Sequence, residues 1–296
     1  MSEKKFRSGF VAILGRPNVG KSSIMNRIVG EKVAIVSNHP QTTRSKLLGV
    51  ATGPDWQIVF VDTPGLHKPR TKLGEYMMKS ASDAREGVDA VLAVVDGQRI
   101  GGGDRAVLSD IQSMNCPRFL AVNKIDIVPP EKLMPQLAEL NEFHFDQIFS
   151  VSARTGENID LLIHKLIEAM PEGPKYFPDD MITDQPERVM CAEIIREKAL
   201  NNLRDEIPHG VGVEMLQIKK VSDSLTEIHA NVYCEKESHK SIIIGKQGAM
   251  LGRIGSQARV DIERLLGTKV MLKLWVKVRL DWRNRVGDLR TLGYED

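Results

Sequence analysis

Over the first 170 residues, short apolar runs alternate with longer amphipathic stretches: FVAIL (10–14), WQIVFVD (56–62), AVLAVVD (90–96), RFLAVNK (118–124) and QIFSVSA (147–153). Runs this short and this apolar predict strands buried on both faces, as in a parallel sheet. The stretches near 21–29, 73–86, 104–114, 131–141 and 157–169 predict the helices that cross between them, so the expected fold is α/β with a mostly parallel sheet. MPEGPKYFPDD (170–180) holds three prolines and a glycine and predicts a linker. Beyond it the order changes. A helix is expected at about 187–205, with Cys191, Ile195, Ala199 and Leu203 at i, i+4 spacing, followed by two strands, two helices and a final strand. Ile228, Ala230, Val232 and Cys234 share one face of the second strand. In the last strand Val270, Leu272, Leu274, Val276 and Val278 point inward, and Lys273, Lys277 and Arg279 point outward. The expected division is a first domain at 1–172, a linker at 173–185 and a smaller α+β domain at 186–296.

Length and composition agree with two soluble globular domains: 296 residues, 42% hydrophobic and 27% charged. The net charge of +2 hides an asymmetry. Residues 1–180 carry 22 Lys+Arg against 22 Asp+Glu, residues 181–235 carry 6 against 10, and residues 236–296 carry 13 against 7. The basic excess at the end suits a polyanionic partner, or a solvated basic face. Cys116, Cys191 and Cys234 are far apart, without CxxC or His pairing, which suggests neither a disulfide framework nor a zinc site. The seven histidines likewise show no ligand spacing. MSEKKFRSGF has no apolar signal region and no apolar run reaches about 18 residues, so a cytoplasmic protein that does not span a membrane is expected.

The chemistry begins directly after the first strand. GRPNVGKS (15–22) fits GxxxxGK[ST] and precedes a helix, the context this phosphate-binding loop requires. Gly15 and Gly20 let the chain wrap phosphate oxygens, and the N–H groups from Asn18 through Val19 to Ser23 surround them. Lys21 reaches the β and γ phosphates, and Ser22 is a magnesium ligand. The base is chosen by NKID (123–126): Asp126 accepts from the guanine N1–H and 2-amino groups, while Asn123 and Lys124 hold the base and the phosphate loop. Adenine offers neither donor. SAR, made of Ser152, Ala153 and Arg154, supplies backbone N–H groups to the guanine O6. GGGDR (101–105) follows a strand already ended by Asp96 and is expected to be a helix-entry turn.

GRPNVGKS, the pair Thr42–Thr43, DTPG (62–65), NKID and SAR occur in unpermuted order, and the chain thereby resembles the translation-factor class of GTPases. The resemblance implies that Thr43, rather than Thr42, binds magnesium beside the γ-phosphate, that Asp62 holds a magnesium-bound water, and that the Gly65 N–H meets the γ-phosphate. Leu66 stands where many regulatory GTPases carry a water-orienting glutamine. Charge stabilisation must then come from elsewhere. Asn18 is the candidate, either closing the loop turn or, as in relatives with asparagine here, helping to hold a potassium ion against the phosphates.

GKQG (245–248) lies between two helical stretches, with Arg253 in the second. In such a GxxG loop Gly245 and Gly248 leave room for a nucleic-acid backbone, and Lys246, Gln247 and nearby N–H groups meet phosphates. The order helix, strand, strand, helix, GxxG, helix, strand resembles a type II KH domain, which clamps about four unpaired nucleotides. Taken together the motifs resemble the Era family of bacterial ribosome-assembly GTPases over essentially the whole chain. That resemblance implies a GTP-hydrolysing switch using GTP/GDP and Mg2+, a role in small-subunit assembly, and binding near the 3′ end of 16S-type small-subunit rRNA. It also implies peripheral contact at the inner membrane; a monomer is expected. Two rival readings are an RNA-binding protein that keeps GTP as a structural ligand, and a GTPase whose basic end meets anionic lipid. The missing amphipathic basic helix with Trp/Phe anchors weighs against the second.

Overall fold

A computed structural model describes residues 5–37, 39, 42–65, 71–85 and 87–294. The described residues divide into two units: Met1–Val36, Thr43–Lys68 and Met77–Asp184 in the first, and Ser37–Thr42, Pro69–Tyr76 and Gln185–Asp296 in the second.

The first unit runs β1 (Arg7–Leu14), α1 (Lys21–Val29), β2 (Leu47–Gly53), β3 (Trp56–Asp62), α2 (Lys72–Asp83, whose first residues cluster with the second unit), β4 (Ala90–Asp96), α3 (Gly102–Ile111), β5 (Arg118–Asn123), α4 (Pro130–Leu140), β6 (Gln147–Ser150) and α5 (Ile159–Ala169). The sheet order is β2-β3-β1-β4-β5-β6, parallel except for the antiparallel pair β2–β3. Strand alternation divides the core: Val11 and Ile13 enter one buried cluster, and Ala12 and Leu14 the cluster on the opposite face. Since β1, β4 and β5 run parallel, their carboxyl ends bring GRPNVGKS, Asp96 and NKID to one edge of the sheet, where open α/β sheets bind ligands.

Residues 171–184 differ from a free linker. Ser8 Oγ donates to the Pro174 carbonyl at 2.6 Å, and the Gln57 amide accepts from Tyr176 N (2.8 Å) and donates to the Phe177 carbonyl (2.9 Å). Val50 N then donates to the Ile182 carbonyl at 2.9 Å, and Thr183 Oγ1 to the Leu48 carbonyl at 2.7 Å. Proline and extended backbone leave this segment with few internal hydrogen bonds, so its polar groups find partners on the sheet. Residues 182–184 thereby cover the outer edge of β2.

The second unit contains α6 (Glu187–Asn202), β7 (Gly212–Ser222), β8 (Leu225–Cys234), α7 (Glu237–Ile244), α8 (Ala249–Leu266), β9 (Lys269–Val278) and a short α9 (Val286–Thr291). β7 pairs antiparallel and β9 parallel with the central β8. The apolar alternation sends Ile228, Ala230 and Val232 inward against Cys191, Ile195 and Ala199 of α6 and Ile254, Ala258 and Ile262 of α8, forming one core between helices and sheet. On the opposite face Met271, Lys273, Trp275 and Lys277 of β9 are exposed, while Asn231 and Tyr233 of β8 are buried.

Candidate nucleotide site and GxxG loop

The phosphate loop leaves β1 at Gly15 and enters α1 at Lys21, so the first N–H groups of α1 face the loop's concavity. Asn18 sits in the left-handed region (φ 65°), a conformation asparagine tolerates. Lys21 is buried, and its Nζ donates to the carbonyls of Gly15 and Arg16, both at 3.1 Å, which folds the side chain back over the loop.

At the end of β3, Asp62 Oδ2 accepts from Ser22 Oγ at 2.6 Å and Thr43 Oγ1 at 3.2 Å, and the two hydroxyl oxygens lie 3.1 Å apart. Three oxygens from three separate segments thus converge. Thr42 is elsewhere, its hydroxyl donating to the His39 carbonyl at 2.7 Å. Asp62 Oδ1 is buried and, among the described residues, has no donor in good hydrogen-bonding geometry. Burial pushes the Asp62 carboxyl up and the Lys21 ammonium down, each opposed by the charge of the other. A site of buried, incompletely satisfied oxygens and one buried ammonium suits a polyanion with a hard cation.

Gly65 packs directly on the phosphate loop. A Cβ there would lie 2.6 Å from Pro17 N and 2.7 Å from Pro17 Cα, so a side chain at 65 displaces backbone. Leu66 lies outside the described residues, as do 67–70.

Asn123 joins the base-reading and phosphate loops. Its Nδ2 donates to the Val19 carbonyl and its Oδ1 accepts from Ala153 N, both at 3.0 Å. Lys124 Nζ donates to the Asn18 carbonyl at 2.8 Å and pairs with Asp96 at 2.6 Å. Asp126 Oδ1 accepts from Ser152 Oγ at 2.5 Å, and Oδ2 from Arg154 Nε at 2.7 Å. The Ser152 hydroxyl and the Arg154 guanidinium hold the Asp126 carboxyl below its ordinary range, so it is an ionised acceptor at neutral pH. Asn18, Val19, Gly20, Lys21, Ser22 and Ser23 are therefore drawn together with Asp62, Thr43 and Gly65 at one end, and with Asn123, Lys124, Asp126, Ser152, Ala153 and Arg154 at the other.

Two supporting residues escaped the motif reading. Asp96 orients Lys124, and its place at the carboxyl end of a central strand was the available signal. Asp104, buried in the first turn of α3, accepts from Gly101 N and from Arg16 Nη1, each at 2.9 Å, and so fixes both the helix entry and the phosphate loop.

In the second unit GKQG forms a single turn between α7 and α8, with left-handed φ at Gly245 (72°), Gln247 (52°) and Gly248 (80°). Lys246, Gln247 and Arg253 are exposed, and a Cβ on Gly248 would meet nothing within 4 Å, so the loop's outer side is open.

Residues 10–124 match the family described as 50S ribosome-binding GTPase, and residues 206–283 match the KH domain family. Fold and site together define a GTPase followed by a KH domain. The chain is 54% identical to GTPase Era of Alkaliphilus metalliredigens, over 98% of this chain and 99% of that one, and 51% identical to GTPase Era of Clostridioides difficile over the same shares. It belongs to the Era family of GTPases. Among solved structures it is similar to Era in complex with MgGDPNP and nucleotides 1506–1542 of 16S ribosomal RNA, with TM-score 0.93, 38% identity and coverage of 98% of this chain and 100% of that one. A tyrosine-to-alanine variant of Aquifex aeolicus Era bound to GDP.AlF4- matches with the same score, identity and coverage.

Proposed function

We propose that this chain is a magnesium-dependent GTP switch that binds the 3′ region of small-subunit rRNA through its KH domain and acts in assembling the small ribosomal subunit. The carrying observation is that one Era-type chain holds both a phosphate loop stapled to an ionised guanine reader at Asp126 and an open GKQG turn. The solved relative with MgGDPNP and a 16S rRNA fragment supports the same pair of ligands. The unit boundaries at 1–172 and 186–296, the monomeric state and a cytoplasmic location with peripheral contact at the inner membrane belong to this reading. No described helix is long and apolar enough to cross a membrane.

Ser22, Thr43 and Asp62 would hold magnesium, Asp62 through a water; the ion, when bound, neutralises charge between the β and γ phosphates. Lys21 would bind the phosphate oxygens, and its burial strengthens that interaction. Gly65 would offer its N–H to the γ-phosphate. Asp126 would read the guanine edge, with Ala153 N beside it for O6.

Separability of the two activities tests the scheme. Gly248→Asp places a carboxylate on the open side of the turn, at a φ that disfavours side chains, and RNA affinity is expected to fall more than tenfold while single-turnover GTP hydrolysis stays within twofold. Retained RNA binding at moderate salt would leave GKQG as a plain helix connection.

With leucine in place of glutamine at 66, a potassium ion beside Asn18 would supply charge as it develops in hydrolysis. Asn18→Ala, and replacement of potassium by sodium at constant ionic strength, are each expected to slow hydrolysis about tenfold with little change in GTP affinity. A rate indifferent to both changes assigns the activating charge to RNA or a ribosomal partner.

A further inference from the structure

The basic excess of the last sixty residues is larger than the GKQG turn uses, and part of it lies on the sheet face opposite the helices. Along β9 the exposed positions alternate as Lys269, Met271, Lys273, Trp275 and Lys277. Register places Glu227 beside Met271, His229 beside Lys273 and Asn231 beside Trp275, with Lys219 of β7 opposite Glu227. Trp275 is 43% exposed and Met271 40% exposed, although both stand within a strand. The His229 ring stands nearly perpendicular to the indole, at 78° and 5.3 Å between centroids, and fixes one flank of it. Glu227 engages Lys273 at 2.7 Å and His229 at 2.9 Å. Lys219, Lys269, Lys273 and Lys277 outnumber Glu214 and Glu227 on this face.

We propose that the outer face of this sheet is a second RNA surface, on which an unpaired base stacks against Trp275 while the flanking backbone runs along Lys273 and Lys277. Same-face neighbours on a strand lie about 6.6 Å apart, so a lysine flanks the indole on each side at that distance. A strand ladder with an exposed aromatic and alternating cations has the features of sheet platforms that stack bases without reading sequence. A lipid surface fits less well, because the apolar contribution is only Trp275 and Met271 and no amphipathic helix lies beside them. The proposal rests on the reading of this unit as RNA-binding and adds a surface beyond the clamp of about four nucleotides.

The test uses the full chain and a fluorescein-labelled (CA)6 RNA, which cannot self-pair. Trp275→Ala is expected to weaken binding about tenfold and Trp275→Phe less than about threefold, the loss of one base–aromatic stack and its partial retention. Lys273→Gln combined with Lys277→Gln should reduce the slope of log affinity against log salt by about 1.4. GTP hydrolysis and the melting temperature should stay at the parent's values in all three, since the positions are exposed. Affinity within twofold of the parent for Trp275→Ala overturns the proposal. So does unchanged RNA affinity with lost co-sedimentation on phosphatidylglycerol vesicles, which would make this a lipid-facing surface. If Gly248→Asp alone weakens RNA binding, only the second surface fails; if neither Gly248→Asp nor Trp275→Ala does, the RNA-binding reading itself fails.

Discussion

Asp126→Asn is expected to cost at least about a thousandfold in GTP affinity and to transfer preference to xanthosine triphosphate, a discrimination of the size seen when a buried polar group loses its partner. The carboxylate has only acceptors to offer, and Ser152 and Arg154 already fix its orientation. An asparagine turns one oxygen into a donor. That donor would oppose the guanine 2-amino group, and the Ser152 hydroxyl or the Arg154 guanidinium would lose its acceptor as well. Xanthine carries an oxygen at position 2 and restores complementarity. Equilibrium titration with fluorescent GTP and XTP checks both halves, and a variant that binds GTP within tenfold of the parent would remove Asp126 from base reading.

Much of this site was legible because its motifs are local. GRPNVGKS, DTPG, NKID and SAR each follow a strand whose apolar run is plain, and the runs 56–62 and 90–96 coincide with β3 and β4. GGGDR forms the helix entry its composition suggests, with Asp104 accepting from Gly101 N. What escaped depends on distant partners. Nothing near Asp104 in the sequence indicates that it anchors Arg16, 88 positions away. β2, LLGVATG, was missed because two glycines and an antiparallel edge position leave neither a continuous apolar run nor clean alternation. The segment 171–184 has a linker's composition, yet its backbone groups complete hydrogen bonds to Ser8, Val50 and Gln57, and its Thr183 hydroxyl one to Leu48, which only the folded sheet supplies.

Gly65→Ala should slow GTP hydrolysis about a hundredfold while GTP affinity changes no more than severalfold. The methyl group would fall 2.6 Å from Pro17 N, and a proline ring within a phosphate loop has little freedom to retreat. The Gly65 N–H survives the substitution but is displaced, and a misplacement of about 1 Å in a group aimed at a transferring phosphoryl costs roughly that factor in rate. Affinity is distributed over Lys21, the loop N–H groups and Asp126, and so is largely preserved. Single-turnover phosphate release compared with equilibrium titration separates the two quantities. An unchanged rate would show that the close approach of Gly65 to Pro17 serves packing alone.

The strap along β2 has a consequence for the order of events during synthesis. β2 is an edge strand, and among the described residues the N–H of Val50 donates to Ile182 and the carbonyl of Leu48 accepts from Thr183. Between completion of β2 and arrival of Ile182 about 130 residues must be added, which at roughly 5–20 residues per second takes on the order of 10 s. For that interval the nascent first unit carries an open pairing edge, the kind of surface that recruits strands from other chains. The open edge therefore persists well past the midpoint of translation and closes only after the nucleotide-binding strands have emerged, when the strap arrives.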